Sequence, residues 1–515
     1  IQVNGFNFRH GNASEGYLDQ FSAHFASTPL RDTSRVATLK AAILIDDGQL
    51  TLGDSLKARV KYLKGDLMFS PKPGQPKIPQ IASNFKVDSS GALMKGKRVS
   101  LIQARYKVKT TKVGKNWPLD GDISFGTLYA YTPRFPLEVQ IPKTEIILKP
   151  GLIELDHAKL IVGRSDLTAT GRVYNIGEAF FEDKVFRGEL EIASDMIDVN
   201  QMIQALNEGA ANAEKEAEGG TIQDQATPPP GSEDPGTEPT QEPRSFVVPD
   251  NMDLRLQSRF EKVLYKRFEI DKVVGLITVK DQKIDLANLQ MKTMAANMST
   301  SVAYTSKEKG KAALGFDFKL YDIDLAKLTE LFPIIDSLLP MAESFEGKVN
   351  FRIKGASALD KSLGMVGPSL DAIARIEGDD LVILDGKTFQ KIAKMLFFKN
   401  KKRNTIDKLE FAMIFKNAMI EVFPSVITVD RYKVAVGGQH KMDMTFDYHI
   451  SILKSPMPFK AGIDIKGTDD DMDFKITKAK YKFLFSNKER QRKKADSTLI
   501  RRKNSVMSQL PFYGN

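Results

Sequence analysis

The chain has 515 residues, 42% of them hydrophobic and 27% charged, so most of it can build a packed core over more than one domain length. It contains no cysteine, which excludes a disulfide framework, a thiolate nucleophile and Cys-ligated zinc or iron–sulfur centres. The net charge is +10, yet Glu208–Arg244 carries nine acidic and two basic residues, leaving +17 on everything else. That balance attracts anions, either nucleic acid or anionic lipid headgroups.

In chain order, the first region is residues 1–207, which reads as a β segment. It starts at Ile1 without a signal-like apolar stretch, so it is expected to be a fragment whose native N-terminus, with any anchor or export signal, is missing. No run approaches eighteen apolar residues, so no helical membrane span is expected within the sequence. Lys184–Ile192, followed by Asp195 and Asp198, reads as a strand passing through an acidic turn into a helix that the aspartates can cap. Residues 208–244 hold six prolines and no aromatic residue, a composition that predicts a disordered acidic linker.

Residues 245–485 read as a second β domain. Met252, Leu254 and Leu256 alternate with polar residues, as do Phe316, Phe318 and Leu320, then Leu409, Phe411, Met413 and Phe415, then Met472, Phe474 and Ile476. The longest run is Lys441–Ile452, where Met442, Met444, Phe446, Tyr448, Ile450 and Ile452 take every second place, predicting one amphipathic strand about 40 Å long. Such alternation marks antiparallel sheet with one polar face. Lys311–Leu320, followed by Asp322 and Asp324, repeats the strand-to-helix element at Lys184–Ile192. Short strands also precede each copy, at Glu145–Val173 and Lys272–Tyr304, and recur at Leu409–Val436, so the repeating unit is a multi-stranded segment and not a solenoid turn. Beyond the helix expected after Asp198, helices are few and are expected near 324–341 and 388–400, and the basic tail 486–515 is expected to be disordered.

Chemical motifs are sparse. Asp385-Gly-Lys-Thr388 ends like a phosphate-binding loop, but Leu381 stands where its first glycine belongs. The Asp469–Asp473 run lacks the glycine-containing alternation of a calcium loop and reads as a turn. No G-x-S-x-G elbow occurs, and the five histidines show no metal-ligand spacing. No catalytic residue, metal or cofactor is therefore expected, and the protein reads as a non-enzyme. Arg105, Lys107, Lys109 and Lys112 alternate with apolar residues and read as a solvated sheet face, so no nucleic-acid partner is expected.

Several segments carry a family resemblance. Arg375–Leu384, Leu409–Ile420, Val426–Val429, Tyr432–Gly438 and the Gly438–Ile450 return resemble the C-terminal region of AsmA-like proteins. Gly163–Tyr174 and the strand-then-D-x-D element at Phe316–Leu328 do so as well. The resemblance is firmest over Met252–Phe485 and rests on strand pattern, without catalytic signatures. It implies a mainly β fold of long, curved antiparallel sheet repeats forming an apolar groove or taco-like open barrel, with a few short amphipathic helices. It also implies a Gram-negative cell-envelope protein, anchored in the inner membrane and lying in the periplasm, that carries phospholipid or another acyl lipid in outer-membrane biogenesis. Membrane contact through basic segments and envelope protein partners are further expectations.

The lipid-groove residues expected are Met442, Met444, Phe446, Tyr448, Ile450, Phe411, Met413, Phe415, Phe316 and Phe318. The competing reading is a non-enzymatic envelope scaffold, or outer-membrane protein assembly factor, in which these same faces close into a core.

Overall fold

In a computed structural model, the protein is described except for residues 11–13, 29–31, 33–34, 54–55, 115–116, 177, 180–183, 218–245, 294–295, 307–310, 325–344, 384–403, 430, 457–460, 469–470 and 512–515. The fold is mainly β: strands β1 to β27 with three α-helices and one 3-10 turn among the described residues. Both expected helices near 324–341 and 388–400 lie outside them, as do most of the acidic linker and Asp385–Thr388. The chain divides into two compact units, Ile1–Glu269 with Leu276–Lys283, and Ile270–Gly275 with Ile284–Asn515.

The first unit is a meander of long strands: β5 (Thr38–Leu52), β6 (Leu56–Lys72), β7 (Gln75–Met94), β8 (Lys97–Thr111), β9 (Leu119–Thr132) and β10 (Phe135–Lys149). Each pairs antiparallel with the next, and β11 (Leu152–Val162), β12 (Ser165–Tyr174) and β13 (Phe186–Asp198) extend the series. At the opposite edge, β5 is paired along one half by β3 (Ser14–Asp19) and along the other by β4 (Phe21–Thr28). Beyond them, β2 (Phe6–His10) pairs with β3, and β1 (Gln2–Val3) with β4.

Among the described pairings, one breaks the antiparallel rule. β14 (Met252–Tyr265) lies parallel to β13, from Phe186↔Met252 to Asp198↔Leu264. Parallel neighbours need a long crossover. Its first part is helix α1 (Val199–Ala217), whose N-terminus Asp198 caps by accepting the Gln201 N–H at 3.1 Å. The strand-to-helix element is therefore present at its first copy, and the expected linker does not begin at Glu208, because Glu208–Ala217 is helical. The pairing of β14 with β13 also draws the unit boundary past the linker, to residues 269–284.

The second unit is a meander through β17 (Asn297–Ser306), β18 (Ala312–Asp324), β20 (Lys348–Leu359), β21 (Asp371–Ile383), β22 (Asn404–Lys416), β23 (Met419–Val429), β24 (Tyr432–Lys441), β25 (Phe446–Lys454), β26 (Gly462–Gly467) and β27 (Met472–Thr477). The two-residue β19 (Phe345–Glu346) pairs with the end of β21. Among the described residues, β27 pairs with β26 alone, so this sheet is open.

Two expectations are corrected here. Lys441–Ile452 is not one strand: β24 ends at Lys441, residues 442–445 turn, and β25 begins at Phe446. Met444 sits in that turn at φ +68° while Asp443 Oδ1 accepts the Thr445 N–H at 2.9 Å, so period two there reflects a hairpin and not extended backbone. The basic tail is not disordered over 486–511. It contains α2 (Glu489–Arg492) and α3 (Ser497–Gln509), and Asp496 caps α3 by accepting the Thr498 and Leu499 N–H groups. Val506 and Leu510 pack with Ala412 and Phe423 on the polar-side face of β22 and β23. An apolar pair beneath a basic surface is what orders this segment.

Candidate functional site

Antiparallel register converts alternation along strands into rows across them. In the first unit one row runs Ala41–Leu67–Ser83–Val108–Gly121–Leu148–Ile153–Val173, and another Ile43–Gly65–Phe85–Tyr106–Ile123–Ile146–Leu155. Towards the other end, Leu50–Ala58–Ala92–Val99–Ala130–Val139–Val162 form a third. All three lie on one face, although their residue parity differs. On β6 the inward residues are Leu63 and Leu67, then Val60 and Ala58; on β8 they are Leu101 and Val99, then Ala104 and Tyr106. Tyr62, Gln103 and His157 mark the change, each with left-handed backbone near φ +50°. Such residues reset the alternation and bend a strand. Val87, Ala104 and Phe125 lie beside this line and form the buried cluster of the sheet centre. Gly121 also tolerates no side chain, since φ is +148° and a Cβ would stand 2.1 Å from the Lys107 carbonyl oxygen.

Away from that cluster the apolar face is only half-covered. Leu50, Leu56, Val60, Met94, Val99 and Leu101 are half-buried and Ala92 is exposed. With Leu18, Gly48 and Ala58 they line a furrow of about 450 Å³ across β3, β5, β6, β7 and β8. Four strand spacings give it a length of about 19 Å. Small residues create the room: Gly48, Ala58 and Ala92 sit where larger side chains would fill it. The reverse face is charged. Lys57, Arg105, Lys107 and Lys109 are exposed there, Lys109 pairs with Asp120 at 3.2 Å, and Lys112 is exposed just beyond the end of β8.

Of the ten residues expected to line a groove, nine lie in or against one buried cluster of the second unit. Phe316, Met413, Phe415 and Ile450 are buried at 2–7% exposure, in one cluster with Phe351, Leu320, Ile420 and Tyr432. Phe318, Phe411, Met442, Phe446 and Tyr448 pack against that cluster, and burial pushes the Tyr448 hydroxyl up to about 12. Phe316 and Phe318 stack at 5.1 Å. Met444, half-buried in its turn, stands apart from the strand face. The furrow residues were missed although Leu56, Ala58 and Val60 carry the same period-two signal.

The second unit also gathers polar groups that are distant in sequence. His449 Nδ1 lies 2.5 Å from Asp464 Oδ1, and His449 Nε2 lies 2.8 Å from Ser451 Oγ. The order resembles a Ser–His–Asp relay, but its surroundings are structural. Ser451 is fully buried, its Oγ accepts the Tyr481 N–H at 2.8 Å, and Nε2 also accepts the Lys480 N–H at 3.0 Å. With Nε2 accepting, the ring proton belongs on Nδ1, directed at Asp464. Burial lowers the His449 pKa, outweighing the hydrogen bond to Asp464 that raises it. Burial also acts to raise Asp464, but the Lys480 and His449 hydrogen bonds prevail and hold it at about 2. The network fastens residues 480–481 to β25.

No protein-family model, curated protein sequence or solved structure matches this chain. The protein is a long, open, mostly antiparallel β-sheet with a half-covered apolar face in its first unit.

Proposed function

We propose that the protein binds acyl lipid on the apolar face of its first unit, with one hydrocarbon chain lying in the furrow across β3 to β8. The carrying observation is that Leu50, Leu56, Val60, Met94, Val99 and Leu101 share one face and none of them is buried. A soluble sheet leaves so extended an apolar face uncovered only where something else covers it. Transfer of a sixteen-carbon chain out of water is favourable by about 0.8 kcal/mol per CH₂, of order 10 kcal/mol in all, which gives such a face a strong preference for hydrocarbon. A sheet edge open to solvent leaves the headgroup hydrated.

The resemblance to AsmA-like proteins supports carriage of phospholipid in a Gram-negative periplasm, serving outer-membrane biogenesis and integrity, with an inner-membrane anchor and envelope partners. That assignment, and the non-enzymatic character of the chain, belong to this proposal. For the second unit the scaffold reading is favoured by the burial of Phe351, Leu320, Ile420 and Tyr432 to 0–1% exposure. The test is recovery of lipid by mass spectrometry from the purified full chain, beside an Ala58→Phe/Ala92→Phe variant that fills the furrow. We expect acyl lipid with the unaltered protein and at least a fivefold loss with the variant at an unchanged melting midpoint. Absence of acyl lipid from the unaltered protein, or equal recovery from both, rejects the furrow.

A further inference from the structure

The C-terminal segment separates its cations into two sets. The inward set is fully engaged. Arg502 Nη1 donates to Glu421 Oε1 at 2.9 Å, and Lys503 Nζ donates to the Pro424 carbonyl at 2.7 Å and to Ser425 Oγ at 3.1 Å. Lys480 Nζ donates to Asp464 at 2.8 Å. From the sheet side, Arg352, only 6% exposed, donates to the Pro511 carbonyl at 2.5 Å and holds Asp317 with both remaining nitrogens. Arg375 donates to the Leu510 carbonyl at 3.3 Å. These contacts, with Val506 and Leu510 inserted beside Phe423, hold the segment on the second unit.

The outward set is different. Lys488, Arg490, Arg492, Lys494 and Arg501 are exposed and make no ion pair among the described residues. The two acidic residues in the stretch are occupied: Glu489 lies 3.8 Å from Lys493, and Asp496 caps α3. Ile500, 38% exposed, stands next to Arg501 on α3. Unpaired cations on a fixed backbone, beside one exposed aliphatic side chain, form a surface that is unneutralised by the protein itself.

We propose that this surface, residues 488–501, docks the protein on an anionic phospholipid bilayer. Charge complementarity supplies the attraction, each cation near such a surface contributing on the order of fivefold in affinity. Ile500 gives the patch a residue able to enter the headgroup layer. A single-stranded nucleic acid would be expected to use aromatic platforms, and no aromatic residue lies between Lys488 and Arg501. The inference is independent of the furrow: docking concerns headgroups at the second unit, whereas the furrow concerns acyl chains at the first.

The experiment is co-sedimentation of the full chain with vesicles of phosphatidylcholine alone, or of phosphatidylcholine with phosphatidylglycerol. Two charge-reversed proteins of equal net charge are compared. One carries Lys488→Glu, Arg490→Glu, Arg492→Glu and Lys494→Glu; the other carries Lys40→Glu, Lys57→Glu, Lys86→Glu and Lys107→Glu on exposed positions of the first unit. We expect binding to the anionic vesicles only, a loss of at least about 100-fold for the tail variant, and a loss within about threefold for the control. Equal losses, or none, overturn the proposal. A salt titration of the unaltered protein needs no variant: vesicle binding that persists in high salt overturns it as well. So does tighter binding of a single-stranded oligonucleotide than of anionic vesicles at one ionic strength. Lipid recovery from the tail variant reads the furrow separately and is expected to stay unchanged.

Discussion

The two units build their apolar faces from the same alternation and treat them in opposite ways. In the second unit the face is core: Leu320, Phe351, Leu381 and Tyr432 are at most 1% exposed. In the first, strands of 14 to 20 residues carry an equally apolar face whose buried cluster is Val87, Ala104 and Phe125 beside the line of left-handed residues, with scattered buried positions such as Ala41 and Leu148 and a half-buried remainder at the furrow. Most of the large apolar side chains that remain exposed also belong to the first unit, Phe25, Leu52, Ile102 and Ile147 among them. The second unit is further covered on its reverse face by the C-terminal segment. Burial on both sides stabilises a sheet, and an uncovered side leaves a surface for something else. The lesson is that amphipathic period two specifies a face and leaves its use open.

The sharpest break of this comparison is a charge placed on each face. Phe351→Asp puts an unpaired carboxylate in the core and should cost several kcal/mol, collapsing the second unit's melting transition. Phe446→Asp, against the same cluster, should follow it with a smaller loss. A protein carrying Phe351→Asp that melts normally would show the two faces to be alike. Next in size is Phe125→Ala, at the buried centre of the first unit, for which urea denaturation should read a loss of about 3 kcal/mol. A loss below about 1 kcal/mol would mean that the centre is as loosely packed as the furrow.

Acid should act on the second unit. A histidine whose folded pKa is depressed contributes stability that is present above its unfolded value of 6.5 and is lost as pH falls through the folded value. The second unit's melting midpoint should therefore be level above about pH 6.5 and decline below it. Asp464, held at about 2 against an ordinary 3.8, should extend the decline from about pH 4 downwards. Thermal scans across pH check this, and a His449→Gln variant should flatten the upper part of the decline. An identical decline in that variant would remove His449 from the account. The smallest effect on stability is expected for Leu50→Asp, whose carboxylate stays hydrated at the furrow: a melting shift corresponding to about 1 kcal/mol, together with loss of bound acyl probe.

Much of this was legible beforehand. The strand patterns at Met252–Leu256, Phe316–Leu320 and Leu409–Phe415 are strands, the Asp198 cap is in place, and Arg105, Lys107 and Lys109 are on a solvated face, while Lys112 is exposed beyond the strand end. Composition spoke wrongly for the tail, because its order depends on Arg352 reaching Pro511 and Arg502 reaching Glu421, partners 159 and 81 residues away. Alternation spoke wrongly at Met442–Thr445, where a hairpin turn happens to keep every second residue apolar.

What the sequence determined by itself was local: which residues extend, which side of each strand is apolar, and which side carries the charge. These follow from nearest-neighbour backbone geometry and from the two-residue repeat of a strand. Tertiary structure alone decided the parallel seating of β14 on β13, the reset of alternation at Tyr62, Gln103 and His157, and the closure of one face but not the other. Each of those depends on which strand lies beside which, and on what packs over the result. Contacts across such sequence distances leave no periodic trace in the chain.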